Sequence, residues 1–129
     1  DAEIVRAVNK VRLPFNVNTI SQAVASEVLK DRRGLDASVK AITSERERLF
    51  MEMGRIMGIR LFPSEANFIL FKMRTPDRIY NALLKKGILV RNMKGVVTGC
   101  LRVTVGTHEE NASFLKALQD VLIQTANRG

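Results

Sequence analysis

One imidazole, one thiol and two arginines set into apolar strands are the groups in this 129-residue chain whose types and spacing could do chemistry. His108 stands in the first turn of a predicted helix, where a surface polar residue is ordinary, and no serine or cysteine nucleophile motif points to it. Cys100 follows a glycine at a strand entrance and reads as a small buried side chain. A single Cys and a single His exclude an intramolecular disulfide and leave no expectation of a zinc site. Neither a Walker loop nor a GxGxxG run occurs, and the carboxylates fall on helix exteriors rather than in facing pairs. That leaves Arg91, which ends ILVR, and Arg102, which lies inside CLRVTV. Alternation puts Arg102 on the face opposite Leu101, Val103 and Val105. A hairpin between the two strands brings both guanidinium groups to one region of a sheet. Two readings fit this placement: one structural salt bridge each, or a pair of forks that hold a carboxylate or phosphate through parallel hydrogen bonds.

The elements that must position them follow from periodicity and punctuation. The opening DAEIVRAVNKV has Ile4, Val5, Val8 and Val11 at helical spacing. The stretch RLPFNVN, with Pro14 and two asparagines, predicts an extended connector. Asn18 or Thr19 caps a helix from Ile20 to about Arg32, with Gly34 just beyond its end and Lys30, Arg32 and Arg33 suiting its C-terminal dipole. Residues 36–57 give the longest helical signal, through Val39, Ile42, Leu49, Phe50, Met53 and Met57, closed by Gly58. Strands are predicted at Ile59–Phe62 and Asn67–Met73, the second central and covered on both faces. Thr75-Pro76-Asp77 starts a helix that ends at Gly87. A strand Ile88–Arg91, the loop NMKGVVTG and the Arg102 strand make an antiparallel hairpin. Thr107 to Glu110 is a capping box that opens a last helix with Phe114, Leu115, Leu118, Val121 and Leu122 inward. The sum is an α+β fold: a small, mainly antiparallel sheet with helices packed on one side, preceded by linking helices.

The net charge of +8 and pI near 10.3 raise the question of nucleic acid. The basic residues are interleaved with acids, as in EVLKDRRGLD and SERERLF, so solvated faces with one small-anion site are favoured over a nucleic-acid groove. No apolar run approaches the ~20 residues that span a bilayer, and a cytoplasmic protein without a membrane partner is expected. Because the chain opens on Asp1, already in helical register and without a signal or transit segment, a piece of a longer chain is also expected.

The blocks LPFNVNTISQ, PSEANFILF, GILVRNMKG and GCLRVTVGTHEEN resemble, in order and spacing, the C-terminal part of the histidinol-phosphate aminotransferases. These are pyridoxal-phosphate enzymes of the fold-type I aminotransferases, and the resemblance covers essentially the whole chain. It implies that residues 1–35 link to a missing large domain and that 36–129 form the small C-terminal domain. It implies reversible amino transfer between histidinol phosphate and 2-oxoglutarate in histidine biosynthesis. Arg102 then grips the α-carboxylate of glutamate or the corresponding end of the other substrate, and Arg91 helps hold the phosphate of histidinol phosphate. Asn67, in SEANF, supports the domain junction rather than touching substrate. Pyridoxal 5'-phosphate, its lysine and the acid that meets its pyridine nitrogen belong to the missing domain, since no block here matches the family's lysine motif. No catalytic, cofactor-binding or metal residue is therefore expected in this chain, which should be inactive alone and homodimeric only as the full-length enzyme. Two alternatives stand: an aminotransferase for aromatic or other amino acids, and a non-enzymatic basic module whose nucleic-acid affinity would fall steeply with salt.

Overall fold

The structure, a computed structural model, describes residues 1–11 and 17–126. The expected connector lies mostly outside the described residues. The chain divides into two compact units, Asp1–Asp36 and Ala37–Gly129.

In the first unit, α1 (Ala2–Val11) and α2 (Thr19–Val28) bury no residue, so Ile4, Val8, Ile20 and Val24 all lie exposed. Asn18 is the cap of α2, its side-chain oxygen accepting the Ser21 N–H at 2.9 Å. This helix ends earlier than its sequence suggests. Tight turns close it, with Lys30 N–H donating to the Glu27 carbonyl and Asp31 N–H to that of Val28. Helix α3 (Arg32–Gly54) begins at once and takes in Gly34, with the Asp31 carboxylate 3.5 Å from where a Cβ on Gly34 would be. Arg32 and Arg33 consequently occupy the first turn of α3, not the last turn of α2.

In the second unit the four strands are β1 (Arg60–Leu61), β2 (Phe68–Lys72), β3 (Arg91–Asn92) and β4 (Cys100–Thr104). They form one antiparallel sheet in the order β1-β2-β4-β3, so the α+β expectation holds and β2 is central. Helix α4 (Pro76–Lys85) joins β2 to β3, and α5 (His108–Ala126) follows β4. Ile69 and Phe71 from β2 and Leu101 and Val103 from β4 meet Leu49 and Met53 of α3, Ile79 and Leu83 of α4, and Phe114, Leu118 and Val121 of α5 in one core. All these sheet residues share one face, as the two-residue alternation requires. The expectation of a strand covered on both faces is corrected here: Phe68 and Leu70 are only half-buried and Lys72 is exposed.

Other departures have local causes. Helix α3 stops at Gly54 and only its second half enters the core, while Val39, Ile42 and Met57 stay exposed. The Thr75 hydroxyl makes no capping bond, and Pro76 with Asp77 in the first turn marks the start of α4. After α4, Gly87 turns the chain through φ +77°, and Ile88 N–H returns to the Leu83 carbonyl at 3.0 Å. The chain therefore meets β4 only at Arg91, and the predicted strand from Ile88 shrinks to two residues. No helix among the described residues is long and apolar enough to cross a membrane.

Candidate substrate-anion site

Strand pairing decides what the two arginines do together. Arg91 and Arg102 are direct Cα partners across β3 and β4, so their side chains leave the same face of the sheet, away from the core. Like charges directly opposite each other are destabilising without an intervening anion. Among the described residues neither arginine takes part in an ion pair, so the reading of one structural salt bridge each does not hold there. Both line an open pocket of about 470 Å³, together with Tyr80, Leu89, Asn92 and Thr104. The Arg102 guanidinium carbon sits 4.7 Å from the centroid of the Phe68 ring, and its Nε is buried without a hydrogen-bond partner. A neighbouring pocket of about 510 Å³ shares Leu89 and Thr104 but carries Glu109 and Glu110, which repel an anion.

Asn67 does not join the arginines. It is exposed just before β2, where its carbonyl accepts the Val105 N–H at 2.8 Å and so extends the β2–β4 ladder. The rest of the SEANF turn is pinned by the Ser64 hydroxyl, which donates to the Phe68 carbonyl at 2.6 Å and accepts the Ala66 N–H at 3.2 Å. These bonds set the register of the strand that carries Phe68.

Two further clusters hold the arginine strands in place, and neither was visible in the sequence. Asn92 Nδ2 donates to Asp77 at 2.7 Å and Lys94 Nζ lies 3.2 Å from the same carboxylate, which fastens β3 to the start of α4. Those hydrogen bonds, Asn92 first, lower the Asp77 pKa. The second cluster centres on Glu45 of α3. Its carboxylate accepts from Arg48 at 2.7 Å, from Asn111 Nδ2 at 2.9 Å, and meets His108 Nδ1 at 3.0 Å. Asn111 is buried and also closes a two-bond ring with the backbone of Gly106, at the exit of β4. The capping box is present, with Thr107 N–H on Glu110 at 2.8 Å and Glu110 N–H on the Thr107 hydroxyl at 3.3 Å. Both clusters join residues from different elements, so no local spacing in the sequence marks them.

Arg48, then Asn111 and then His108 stabilise the ionised Glu45 carboxyl, and its pKa falls from 4.5 to about 2. The unfolded chain binds this proton more readily than the folded one. The resulting stability is complete above about pH 4.5 and is lost as pH falls toward 2. Glu45→Gln is expected to lower stability by about 1 to 2 kcal/mol near pH 6, allowing for solvent screening at this partly exposed pair. Urea unfolding of both proteins from pH 6 to 2 should show the gap closing in acid; a gap independent of pH would remove the carboxylate charge as its source.

No lysine is among the described residues that line the arginine pocket. Among the described residues no group of three or more His, Cys, Asp or Glu is placed to hold a metal ion.

A small antiparallel sheet with helices on one face and two opposed arginines on the other defines an α+β module. The chain belongs to the aminotransferase class I and II family, whose profile matches residues 1–118. It is 47% identical over 123 residues to the histidinol-phosphate aminotransferase of Aquifex aeolicus (strain VF5), covering 92% of this chain and 34% of that protein. The crystal structure of the histidinol-phosphate aminotransferase from Clostridium acetobutylicum superposes with a TM-score of 0.77 at 28% identity, over 96% of this chain and 39% of that one. That from Sinorhizobium meliloti, solved in complex with pyridoxal-5'-phosphate, shares the fold with a TM-score of 0.72 at 23% identity, over 93% of this chain and 34% of its own. The chain thus spans about a third of the length of the curated relatives it matches.

Proposed function

We propose that this chain is the substrate-recognition part of a pyridoxal-phosphate-dependent histidinol-phosphate aminotransferase. Residues 1–35 link it to a larger domain, and 36–129 are the small C-terminal domain. The observation that carries the reading is the Arg91–Arg102 pair, opposed in register on an open sheet face with no acid of the described residues paired to either. Arg102 grips the α-carboxylate of glutamate or the corresponding end of the other substrate, Arg91 helps hold the phosphate of histidinol phosphate, and Asn67 supports the domain junction. Fixing the anionic end of whichever substrate is bound orients its reacting carbon and reduces the entropy lost on the way to the transition state. Pyridoxal phosphate, when bound, supplies the electron sink for amino transfer, and its seat lies in sequence outside these residues. The chain alone is therefore inactive, and the full-length enzyme is a homodimer converting histidinol phosphate and 2-oxoglutarate to imidazole acetol phosphate and glutamate.

The test is the visible absorbance of the full-length parent on addition of histidinol phosphate. Conversion of the lysine-bound pyridoxal band to the pyridoxamine form is the expected result. A band that responds only to another amino donor would move the specificity to a neighbouring aminotransferase, and the absence of any band would sink the reading.

A further inference from the structure

We propose that Phe68 is a positioning residue for the anion site: its ring holds the Arg102 guanidinium away from Arg91 and so keeps the two forks apart for an anion to enter between them. The inference rests on the reading of Arg91 and Arg102 as the anion grip. On the open face, the direct cross-strand neighbours of Arg102 are Leu70 on β2 and Arg91 on β3. Arg91 repels it and Leu70 offers no hydrogen bond. Phe68 pairs with Thr104 and so lies diagonally from Arg102 on the same face, within reach of a long side chain. The guanidinium carbon stands 4.7 Å from the ring centroid, a distance at which the ring quadrupole attracts the cation. Because Phe68 belongs to β2, this contact draws the charged head toward β2 and away from β3.

The buried Nε without a partner has the same origin. Among the described residues no hydrogen bond or ion pair engages the Arg102 side chain, so protein hydrogen bonds do not fix its orientation; the stack does. An arginine held this way keeps its planar fork pre-organised and loses less rotamer freedom when an anion arrives. Arg91 is exposed, and no ring stack on it is present among the described residues. The pair is therefore asymmetric, one fork rigid and the other mobile. The rigid fork sets the geometry and the mobile one closes on the ligand. Phe68 is itself anchored, since its carbonyl accepts the Ser64 hydroxyl at 2.6 Å.

The experiment uses the 15N-labelled 129-residue chain, follows the arginine Nε–Hε signals, and titrates inorganic phosphate. In the ligand-free chain the Arg102 Nε order parameter is expected near the rigid value of about 0.85 and that of Arg91 below about 0.6. Phe68→Leu should remove the ring-current shift of the Arg102 Hε signal and weaken phosphate binding by about tenfold, whereas Phe68→Tyr should keep both. An Arg102 Nε as mobile as that of Arg91 overturns the proposal, and needs no variant to fold. So does a folded Phe68→Leu chain that binds phosphate as the unaltered chain does. If Arg102→Lys abolishes binding while Phe68→Leu leaves it intact, the anion site stands and only the role of Phe68 falls. If phosphate moves neither arginine signal in the unaltered chain, the site reading falls and the proposal with it.

Discussion

Arg102→Lys is expected to lower kcat/KM of the full-length enzyme by about two orders of magnitude, or about 2.7 kcal/mol of transition-state stabilisation, while the fold survives. The reason lies in the shape of the cation. A guanidinium presents a planar fork that matches a carboxylate through two parallel bonds and stacks on an aromatic face, and an ammonium does neither. The fold should survive because the side chain leaves the sheet on the face opposite the core and has no ion pair among the described residues. Steady-state kinetics with both substrates, beside the thermal midpoint, provide the check. Unchanged kinetics would remove Arg102 from the site. A collapse in thermal midpoint would mean that the arginine is structural after all.

Phe71→Ala should have the largest effect on stability, a loss of about 3 to 5 kcal/mol. Phe71 is fully buried at the centre of the sheet, and its ring meets that of Phe114 edge-on, with centroids 6.3 Å apart and an interplanar angle of 61°. Its removal opens a cavity between β2 and α5 and also breaks this aromatic pair. Small domains are stable by only about 5 to 15 kcal/mol, so the loss is a large share of the total. With urea slopes of about 1 to 3 kcal/mol per molar, the unfolding midpoint should fall by more than about 1 M. A loss under 1 kcal/mol would mean that the core closes around the gap.

The two results would separate two faces of one strand pair. Ile69 and Phe71, with Leu101 and Val103, hold the helices, whereas Phe68 and Arg102 face the open side. On β4 this division was legible in the alternation of Leu101 and Val103 with Arg102 and Thr104, because a strand shows its two faces with a period of two residues, whereas the unbroken apolar run of β2 gave no sign of which face is open. The capping box at Thr107 was equally legible, since its reciprocal bonds span only three residues. Helix ends were read less well. Gly34 looked like a stop but sits inside α3, because tight turns at Lys30 and Asp31 had already ended α2.

By itself the sequence determined the α+β class, the antiparallel hairpin, the core face of β4, the two arginines and the family resemblance. Each is written in local spacing or in short blocks of residues. Only the tertiary structure decided that Arg91 and Arg102 are direct register partners, that Phe68 lies under the Arg102 guanidinium, and that Asn67 stands apart from both. It also decided that Glu45, Arg48, His108 and Asn111 converge. The physical reason is that register and helix docking depend on which distant segments pack together. A shift of one residue in β2 against β4 would keep every local pattern yet place Phe68 on the other face.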